Sequence, residues 1–198
     1  MWQRAWQSPD WRFVIPCILV MTLLQAIGPD YFRYRQDLVQ DGQVWRYLSA
    51  HWVHVGWAHL ALNCAGLVIC VTLTWPRWSR LRWLLYGVLL SIGVSLLIAF
   101  NNPELRDYAG LSGVLFGFYL LAALQLFPRD RLVAALIVAA LAVKVGLEQF
   151  TDYGFDSGAL IGARVIVDAH LYGLLTAIAI ALAWAGYTIN QSTGKQSN

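Results

Sequence analysis

The sequence has few charged residues and no basic stripe. Only 13% of its 198 residues are charged, whereas 59% are hydrophobic and the mean hydropathy is +0.54. Soluble domains carry about 25% charged residues, so this composition excludes an ordinary soluble domain. Apolar runs throughout the chain exclude disorder, and a net charge of only +3 argues against nucleic-acid binding. The class that this composition favours is therefore a polytopic membrane protein.

Cysteine is also scarce, and its pattern excludes two kinds of site. Cys17, Cys64 and Cys70 lie within apolar runs and form neither a Cys-x-x-Cys pair nor a Cys/His zinc spacing. They are predicted to be small hydrophobic residues of helices, and no metal or other cofactor is predicted. The chain shows no inverted repeat and no low-complexity tract apart from a polar tail at residues 190–198.

Six apolar segments are predicted to be transmembrane helices, which need about 20 residues each. They lie near residues 12–28, 57–75, 82–100, 111–127, 131–149 and 165–187. The first segment is similar to a signal peptide, but Pro29 directly after the possible cleavage site favours a retained helix. The sequence therefore predicts an all-α integral membrane protein in which residues 1–198 form a single membrane domain.

Lysine and arginine lie mainly on one side of the predicted bundle. Segments rich in these residues stay cytoplasmic. With the N-terminus inside, the outer segments carry a net negative charge and the inner segments a net positive one. The basic residues of the inner segments are Arg4, Arg12, Arg77, Arg80, Arg82, Arg129, Arg131 and Lys195. Both termini are therefore predicted to be cytoplasmic.

Three polar clusters interrupt the predicted spans, where polar groups are costly and usually face the bundle interior. His59 and Asn63 lie one turn apart on one face of the second span. The segment Gly110–Gly113 (GLSG) opens the fourth span, and His170 lies near the start of the sixth. In the predicted orientation all three clusters lie near the outer surface, so their side chains can meet in one pocket.

The residue types in these clusters favour nucleophilic catalysis. A serine hydroxyl is a weak nucleophile until a base takes its proton, and His170 can do this for Ser112. N–H donors on His59 and Asn63, together with the backbone amide at the helix start, can stabilise an oxyanion. Asp168 precedes His170 by two residues, about 200° around the helix, and is not predicted to orient the imidazole. The sequence thus predicts a Ser-His dyad.

Small residues near the clusters predict close packing of two spans. Gly110 and Gly113 flank Ser112 and leave room for a substrate carbonyl. Gly113 and Gly117 form a Gly-x-x-x-Gly face on the fourth span. The small residues that recur at every fourth position of the sixth span are Ala169, Gly173, Ala177 and Ala181. Such stripes allow helices to approach closely in lipid, which brings His170 within reach of Ser112.

The remaining polar residues are interpreted as structural. Lys144 and Glu148 lie four residues apart in the fifth span and are predicted to form a local ion pair, not a proton relay. His51 and His54 are predicted to be outer-loop residues without a direct role. Arg46 is predicted to anchor the same loop.

These motifs resemble those of the rhomboid intramembrane serine proteases over roughly residues 42–181. In chain order the matching residues are Trp45-Arg46, His54, His59, Asn63, Gly110-Leu111-Ser112-Gly113 and Ala169-His170-Leu171-Tyr172-Gly173. They resemble the family's outer-loop Trp-Arg pair, its second-helix pattern, its Gly-x-Ser-Gly nucleophile motif and its Ala-His-x-x-Gly base motif. All four occur in the family's order.

The resemblance implies a six-helix rhomboid-like bundle that cleaves single-pass or C-terminally anchored membrane proteins near the outer face of the bilayer, without a cofactor. It implies that Ser112 and His170 are catalytic and that His59 and Asn63 serve the oxyanion. The layout without an appended soluble domain is similar to that of rhombosortases, bacterial enzymes that process proteins with a Gly-Gly-type C-terminal sorting tail. This implies a place in the bacterial inner membrane, with the site open to the periplasm. The oligomeric state stays open.

Two other classes of function remain open. One is a catalytically inactive rhomboid-like protein that binds transmembrane helices, although Ser112 and His170 are both present. The other is a small transporter or channel, which predicts inverted repeats, broken helices or several buried charges. Only Lys144 and Asp168 fit that expectation.

Overall fold

The computed structural model describes residues 11–74, 78–150 and 165–194. Their long helices are α1 (Trp11–Ile27), α4 (Trp57–Thr74), α5 (Arg80–Asn101), α6 (Ser112–Leu126), α7 (Arg131–Phe150) and α8 (Asp168–Gly194). The segment between α1 and α4, here called the outer segment, contains the short helices α2 (Gln36–Gln40) and α3 (Arg46–Ser49). It also contributes the strand β1 (Tyr34–Arg35), which pairs antiparallel with β2 (Asp107–Tyr108).

Helices occur at all six positions where the sequence predicts spans. By length and composition, four can cross a membrane: α4, α5, α7 and the part of α8 from Asp168 to Gly186. The other two, α1 with 17 residues and α6 with 15, are shorter apolar helices. Cys17, Cys64 and Cys70 lie within α1 and α4 as free thiols, as predicted.

Helix α8 differs from its predicted span at both ends. It begins at Asp168, whose charge favours a helix N-terminus, and it continues to Gly194 rather than ending at 187. The predicted end reflected polar side chains, whereas helical hydrogen bonds need only the backbone. Residues 195–198 of the predicted tail lie outside the described residues, as do Arg4, Arg77 and Lys195 of the charge pattern.

The main core lies between α1, α4, α5, α6 and α8. Leu90 of α5 and Val114 and Phe118 of α6 are almost completely buried there. Trp83 packs against Phe118 with ring centroids 4.5 Å apart. In a membrane such packing is stabilised by van der Waals contacts between side chains. Helix α6 therefore occupies the centre of the bundle and fixes the position of the residues at its start.

Arg46 holds the outer segment in place. Its guanidinium donates to the backbone oxygens of Asp30 (3.3 Å) and Arg33 (2.6 Å) and to Oε1 of Gln43 (2.8 Å). Arg46 is only 5% exposed, so these bonds satisfy a charge that burial would otherwise make costly. The prediction that Arg46 anchors the loop is confirmed.

Helices α6 and α8 touch backbone to backbone. A Cβ atom on Gly113 would lie 2.6 Å from the carbonyl oxygen of Ala169, and one on Gly117 would lie 2.8 Å from that of Gly173. A Cβ atom on Gly173 would collide with the carbonyl oxygen of Gly113. Only glycine permits this separation, which confirms the close approach that the small-residue stripes predict.

Candidate active site

The starts of α4, α6 and α8 meet at one end of the bundle. Gly110 has φ +141°, and a Cβ atom there would lie 2.7 Å from Cε1 of His59 at the start of α4. On the other side of this turn, Gly113 contacts Ala169 at the start of α8. The structure therefore brings together the three polar clusters that the sequence singles out.

His170 lies beside the first turn of α6. Ser112 is the first residue of that helix, and Phe116 lies one turn later on the same face. The Phe116 ring stacks on the His170 ring with centroids 4.2 Å apart and planes 8° from parallel. Because Gly113 also contacts Ala169, the imidazole is held next to the turn that carries Ser112. His170 itself is 4% exposed.

Ser112 and His59 line the same pocket, which has an empty volume of about 900 Å³. Its walls come from the outer segment, the start of α4, the strand β2 and the residues before α8. The lining residues are Arg33, Val55, His59, Leu105, Asp107, Tyr108, Ala109, Ser112, Val165 and Ile166. Arg33 pairs with Asp107 across this pocket (Nη1–Oδ2 3.2 Å). Ser112 and His59 therefore share one cavity with residues of the outer segment.

Tyr108 is a site residue that the sequence analysis missed. Its hydroxyl donates to the carbonyl oxygen of Gly110 (2.8 Å) and also hydrogen-bonds to the Ser112 side chain and the Gly113 backbone. Burial raises the pKa of the Tyr108 hydroxyl, and the bonds to Gly113 and Ser112 only partly oppose this. The phenol is therefore neutral and fixes the turn around Ser112. Tyr108 is placed here by the pairing of β2 with β1. Each of these strands has only two residues, which is too short for a sequence pattern to predict.

His51 also contacts the turn before Ser112. Its ring is completely buried, with Nδ1 3.3 Å from the Gly110 oxygen and Nε2 3.0 Å from the Ser91 oxygen and 2.9 Å from Ser95 Oγ. Burial lowers the pKa of His51 to about 4, although the bonds to Gly110 and Ser91 oppose this effect. His51 is thus a neutral brace between α5 and the loop before Ser112, consistent with an indirect role.

The predicted oxyanion donors lie at the start of α4. Asn63 is 4% exposed, and its Nδ2 donates to the backbone oxygen of His59 (3.1 Å), which uses one of its two N–H donors. Nδ1 of His59 is buried and has no hydrogen-bond partner among the described residues. His59, which lines the pocket, and Asn63, one turn later on α4, therefore both retain hydrogen-bonding capacity.

A carboxylate contacts the imidazole of His170. Oε2 of Glu148, near the end of α7, lies 2.8 Å from Nδ1 of His170, and Oε1 lies 2.6 Å from Nζ of Lys144. The predicted Lys144–Glu148 ion pair is therefore present, but its interpretation as purely local was incomplete. The sequence feature that could have indicated this second contact was the position of Glu148 inside an apolar span, because a carboxylate there is costly without a partner.

Asp168 takes other partners. Its Oδ2 accepts from Nδ2 of Asn102 (2.7 Å), and its Oδ1 accepts from Nε2 of Gln149 (3.3 Å). Both oxygens thus have partners other than the imidazole among the described residues. The described ranges contain no group of three or more His, Cys, Asp or Glu residues that could hold a metal ion.

These features define a helical membrane protein with a serine and a histidine at adjoining helix starts. The family model described as Rhomboid domain matches residues 41–187, most of the chain. The chain is also similar to rhomboid-like protease 5 of Toxoplasma gondii, with 29% identity over 192 residues; the match covers 92% of this chain but only 21% of that protein. The chain therefore spans about a fifth of the length of this relative.

The chain belongs to the rhomboid family. It is accordingly a multi-pass integral membrane protein, and rhomboids act on membrane-embedded substrates within the lipid bilayer.

Proposed function

We propose that this protein is an intramembrane serine endopeptidase in which Ser112 is the nucleophile and His170 the general base. One observation carries the proposal: the His170 ring stacks on Phe116, one turn after Ser112 on the same helix face. The glycine contacts between α6 and α8 hold this arrangement without an intervening side chain. Family membership supports the same activity.

The proposed reaction begins when Ser112 Oγ attacks the carbonyl carbon of the scissile peptide bond. Nε2 of His170 takes the hydroxyl proton as the new C–O bond forms, and the carbonyl electron pair moves to the oxygen. The imidazolium then gives this proton to the departing amine nitrogen, which leaves an acyl-enzyme. Water attacks that ester with His170 acting again as base, and the serine is restored.

In this proposal the oxyanion is stabilised by the backbone amide of Ser112 and by the side chains of His59 and Asn63. The first N–H groups of a helix have no partner within the helix, so the start of α6 presents donors to the developing charge. Gly110 and Gly113 contribute no side chain, which leaves room for the substrate carbonyl. The spare donors on His59 and Asn63 support this role.

We propose that the substrates are single-pass or C-terminally anchored membrane proteins, cleaved near the outer face of the membrane. The proposed topology has six spans, cytoplasmic termini and one membrane domain over residues 1–198. Arg82 near the start of α5, Arg129 between α6 and α7, and Arg131 at the start of α7 support it, because these basic residues lie at the end of the bundle opposite Ser112. In a bacterium the protein would lie in the inner membrane with the site facing the periplasm.

A narrower proposal concerns the subfamily. The six-helix layout is similar to that of rhombosortases, so substrates with a Gly-Gly-type C-terminal sorting tail are included in the proposal. The alternative of an inactive rhomboid-like protein that binds transmembrane helices is not favoured, because Ser112 and His170 are both retained.

Cleavage by the full chain in proteoliposomes tests the proposal. Two fluorescent substrates, a single-pass helix and a protein with a Gly-Gly-type C-terminal tail, are incubated with wild type, Ser112→Ala and Ser79→Ala. Ser79 caps the start of α5, where its hydroxyl oxygen accepts a hydrogen bond from the backbone N–H of Arg82. It lies at the end of the bundle opposite Ser112 and serves as the matched serine control. We expect cleavage by wild type and Ser79→Ala but none by Ser112→Ala. Cleavage that persists in Ser112→Ala, or none by wild type, would overturn the proposal.

A further inference from the structure

The imidazole of His170 has one partner on a face of its ring and another at its edge. Phe116 covers one face, and Glu148 meets the ring edge at Nδ1. We propose that Glu148 is a positioning residue that fixes the tautomer and orientation of His170, completing a Ser112–His170–Glu148 triad. This inference rests on the proposed function and extends it to a helix that supplies neither the nucleophile nor the base.

The carboxylate is held rigidly and away from water. The side chains of Glu148 and His170 are only 3% and 5% exposed, and Nδ1 lies 2.8 Å from Oε2. The second oxygen, Oε1, lies 2.6 Å from Nζ of Lys144, one turn earlier on α7. With both oxygens engaged, the carboxylate cannot rotate away from the ring. The buried Glu148 carboxylate is thus balanced by the positive charge of Lys144, whose side chain is 28% exposed. This pairing limits the cost of placing the carboxylate in the bundle.

The tautomer follows from hydrogen-bond chemistry. An ionised carboxylate only accepts hydrogen bonds, so Nδ1 of His170 must carry the ring proton and donate it to Glu148. Nε2 is then unprotonated and available to take the proton from Ser112. After that transfer the imidazolium lies directly against an opposite charge. The proton stays on the imidazole and is not passed to Glu148.

The topology explains why Glu148 reaches this place. Helix α7 runs towards the end of the bundle at which α6 and α8 begin, and Glu148 lies in its last turn. The neighbouring residue Gln149 points to Asp168 instead. Asp168 therefore bonds to Gln149 and to Asn102. Among the described contacts, Glu148 is the carboxylate that meets His170.

Steady-state kinetics on the full chain test the positioning role. The variants are Glu148→Gln, which keeps the shape but permits the wrong tautomer, Glu148→Asp, which keeps the charge, and the control Gln149→Ala. We expect Glu148→Gln to lower kcat by at least ~10-fold and, if the wrong tautomer dominates, by up to ~10⁴-fold. KM should change less than twofold. Glu148→Asp should recover part of kcat, and Gln149→Ala should retain it.

Nitrogen-15 spectra of the histidine ring give an independent readout. In wild type we expect the Nδ1-protonated tautomer at His170, and in Glu148→Gln a mixture of tautomers with an unchanged melting temperature.

If wild type cleaves substrate and Glu148→Gln matches it in kcat and tautomer, Glu148 is only an ion-pair partner of Lys144 and the inference is wrong. If neither wild type nor any variant cleaves substrate but the tautomer shifts in Glu148→Gln, the positioning role stands and the proposed function fails. Should Glu148→Gln not fold, a wild-type tautomer in Glu148→Asp supports the inference and a mixture overturns it.

Discussion

The ring of Phe116 lies flat against the imidazole of His170, 4.2 Å between centroids and 8° from parallel. This contact joins the central helix of the bundle to the helix that carries the proposed base. It leaves both ring nitrogens free of the phenyl group. Nδ1 binds Glu148, and Nε2 is the nitrogen that the proposed mechanism assigns to the Ser112 proton.

Replacing Phe116 by alanine should lower activity without unfolding the protein. Stacked aromatic pairs contribute about 0.5–1.5 kcal/mol beyond burial, which corresponds to a roughly 2- to 12-fold lower kcat/KM if the whole effect falls on the transition state. Cleavage kinetics measure this. Phe127→Ala, at the exposed residue that follows the last residue of α6, is the matched control and should behave as wild type. An unchanged rate in Phe116→Ala would show that the stack does not position the imidazole.

Gly113→Ala should separate α6 from α8. The added Cβ atom would lie 2.6 Å from the backbone oxygen of Ala169, where neither atom can move freely. Overpacking of this kind costs about 1–3 kcal/mol, so both the melting temperature in detergent and the cleavage rate should fall. Gly146→Ala on α7 is the control, because nothing lies within 4 Å of its Cβ position. Alanine there should stabilise the helix slightly, by about 0.5–1 kcal/mol. Equal melting temperatures for the two variants would contradict the tight packing.

Acid should destabilise the fold through two buried histidines of the outer segment. Burial lowers the pKa of His51 to about 4 and that of His54 to about 3, from an ordinary 6.5; the neighbouring His59 and His51 also lower the pKa of His54. Between about pH 6.5 and 4 the unfolded chain therefore binds more protons than the folded one, and the free energy of unfolding falls as the pH falls.

Thermal unfolding at pH values from neutral to about 4.5 checks this effect. Each unit of pKa difference corresponds to about 1.4 kcal/mol. His54→Phe keeps an aromatic ring but removes one titrating group, so its stability should depend less on pH than that of wild type. A melting temperature that does not fall with acid would contradict the neutral, buried state of these rings.

Asn63→Ala should slow turnover while leaving substrate binding nearly unchanged. Loss of one oxyanion donor lowers kcat by about 10²–10³-fold in serine proteases. Thr72→Val is the control on the same helix, because the Thr72 hydroxyl bonds only to the Val68 carbonyl oxygen one turn back among the described contacts. A wild-type kcat in Asn63→Ala would remove Asn63 from the oxyanion site.

Hydropathy alone predicted where the helices lie, because apolar runs of about 20 residues are typical of transmembrane helices. The motifs also predicted which helix starts meet, and the contacts of Gly110 with His59 and of Gly113 with Ala169 agree. The rotation of α7 about its axis could not be predicted. Spacing shows that Lys144 and Glu148 share a face, but only the packed structure shows that this face meets His170.

The structure also revealed contacts that depend on the fold as a whole. The Tyr108 hydroxyl reaches Gly110 and Ser112 only because β2 pairs with β1 of the outer segment. His51 similarly connects α5 to the Gly110 turn over a long separation in sequence. Neither residue belongs to a periodic pattern, so the sequence offered no basis for assigning these bonds.

Covalent labelling by a fluorophosphonate probe tests the central claim most directly. The full chain is purified in detergent with added lipid, labelled, and digested for mass spectrometry, alongside Ser112→Ala and His170→Ala. An activated serine predicts that the label is found on Ser112 in wild type and is lost in both variants, while all three proteins keep the same melting temperature. Label on a different serine, or undiminished label in His170→Ala, would contradict a nucleophile at Ser112 activated by His170.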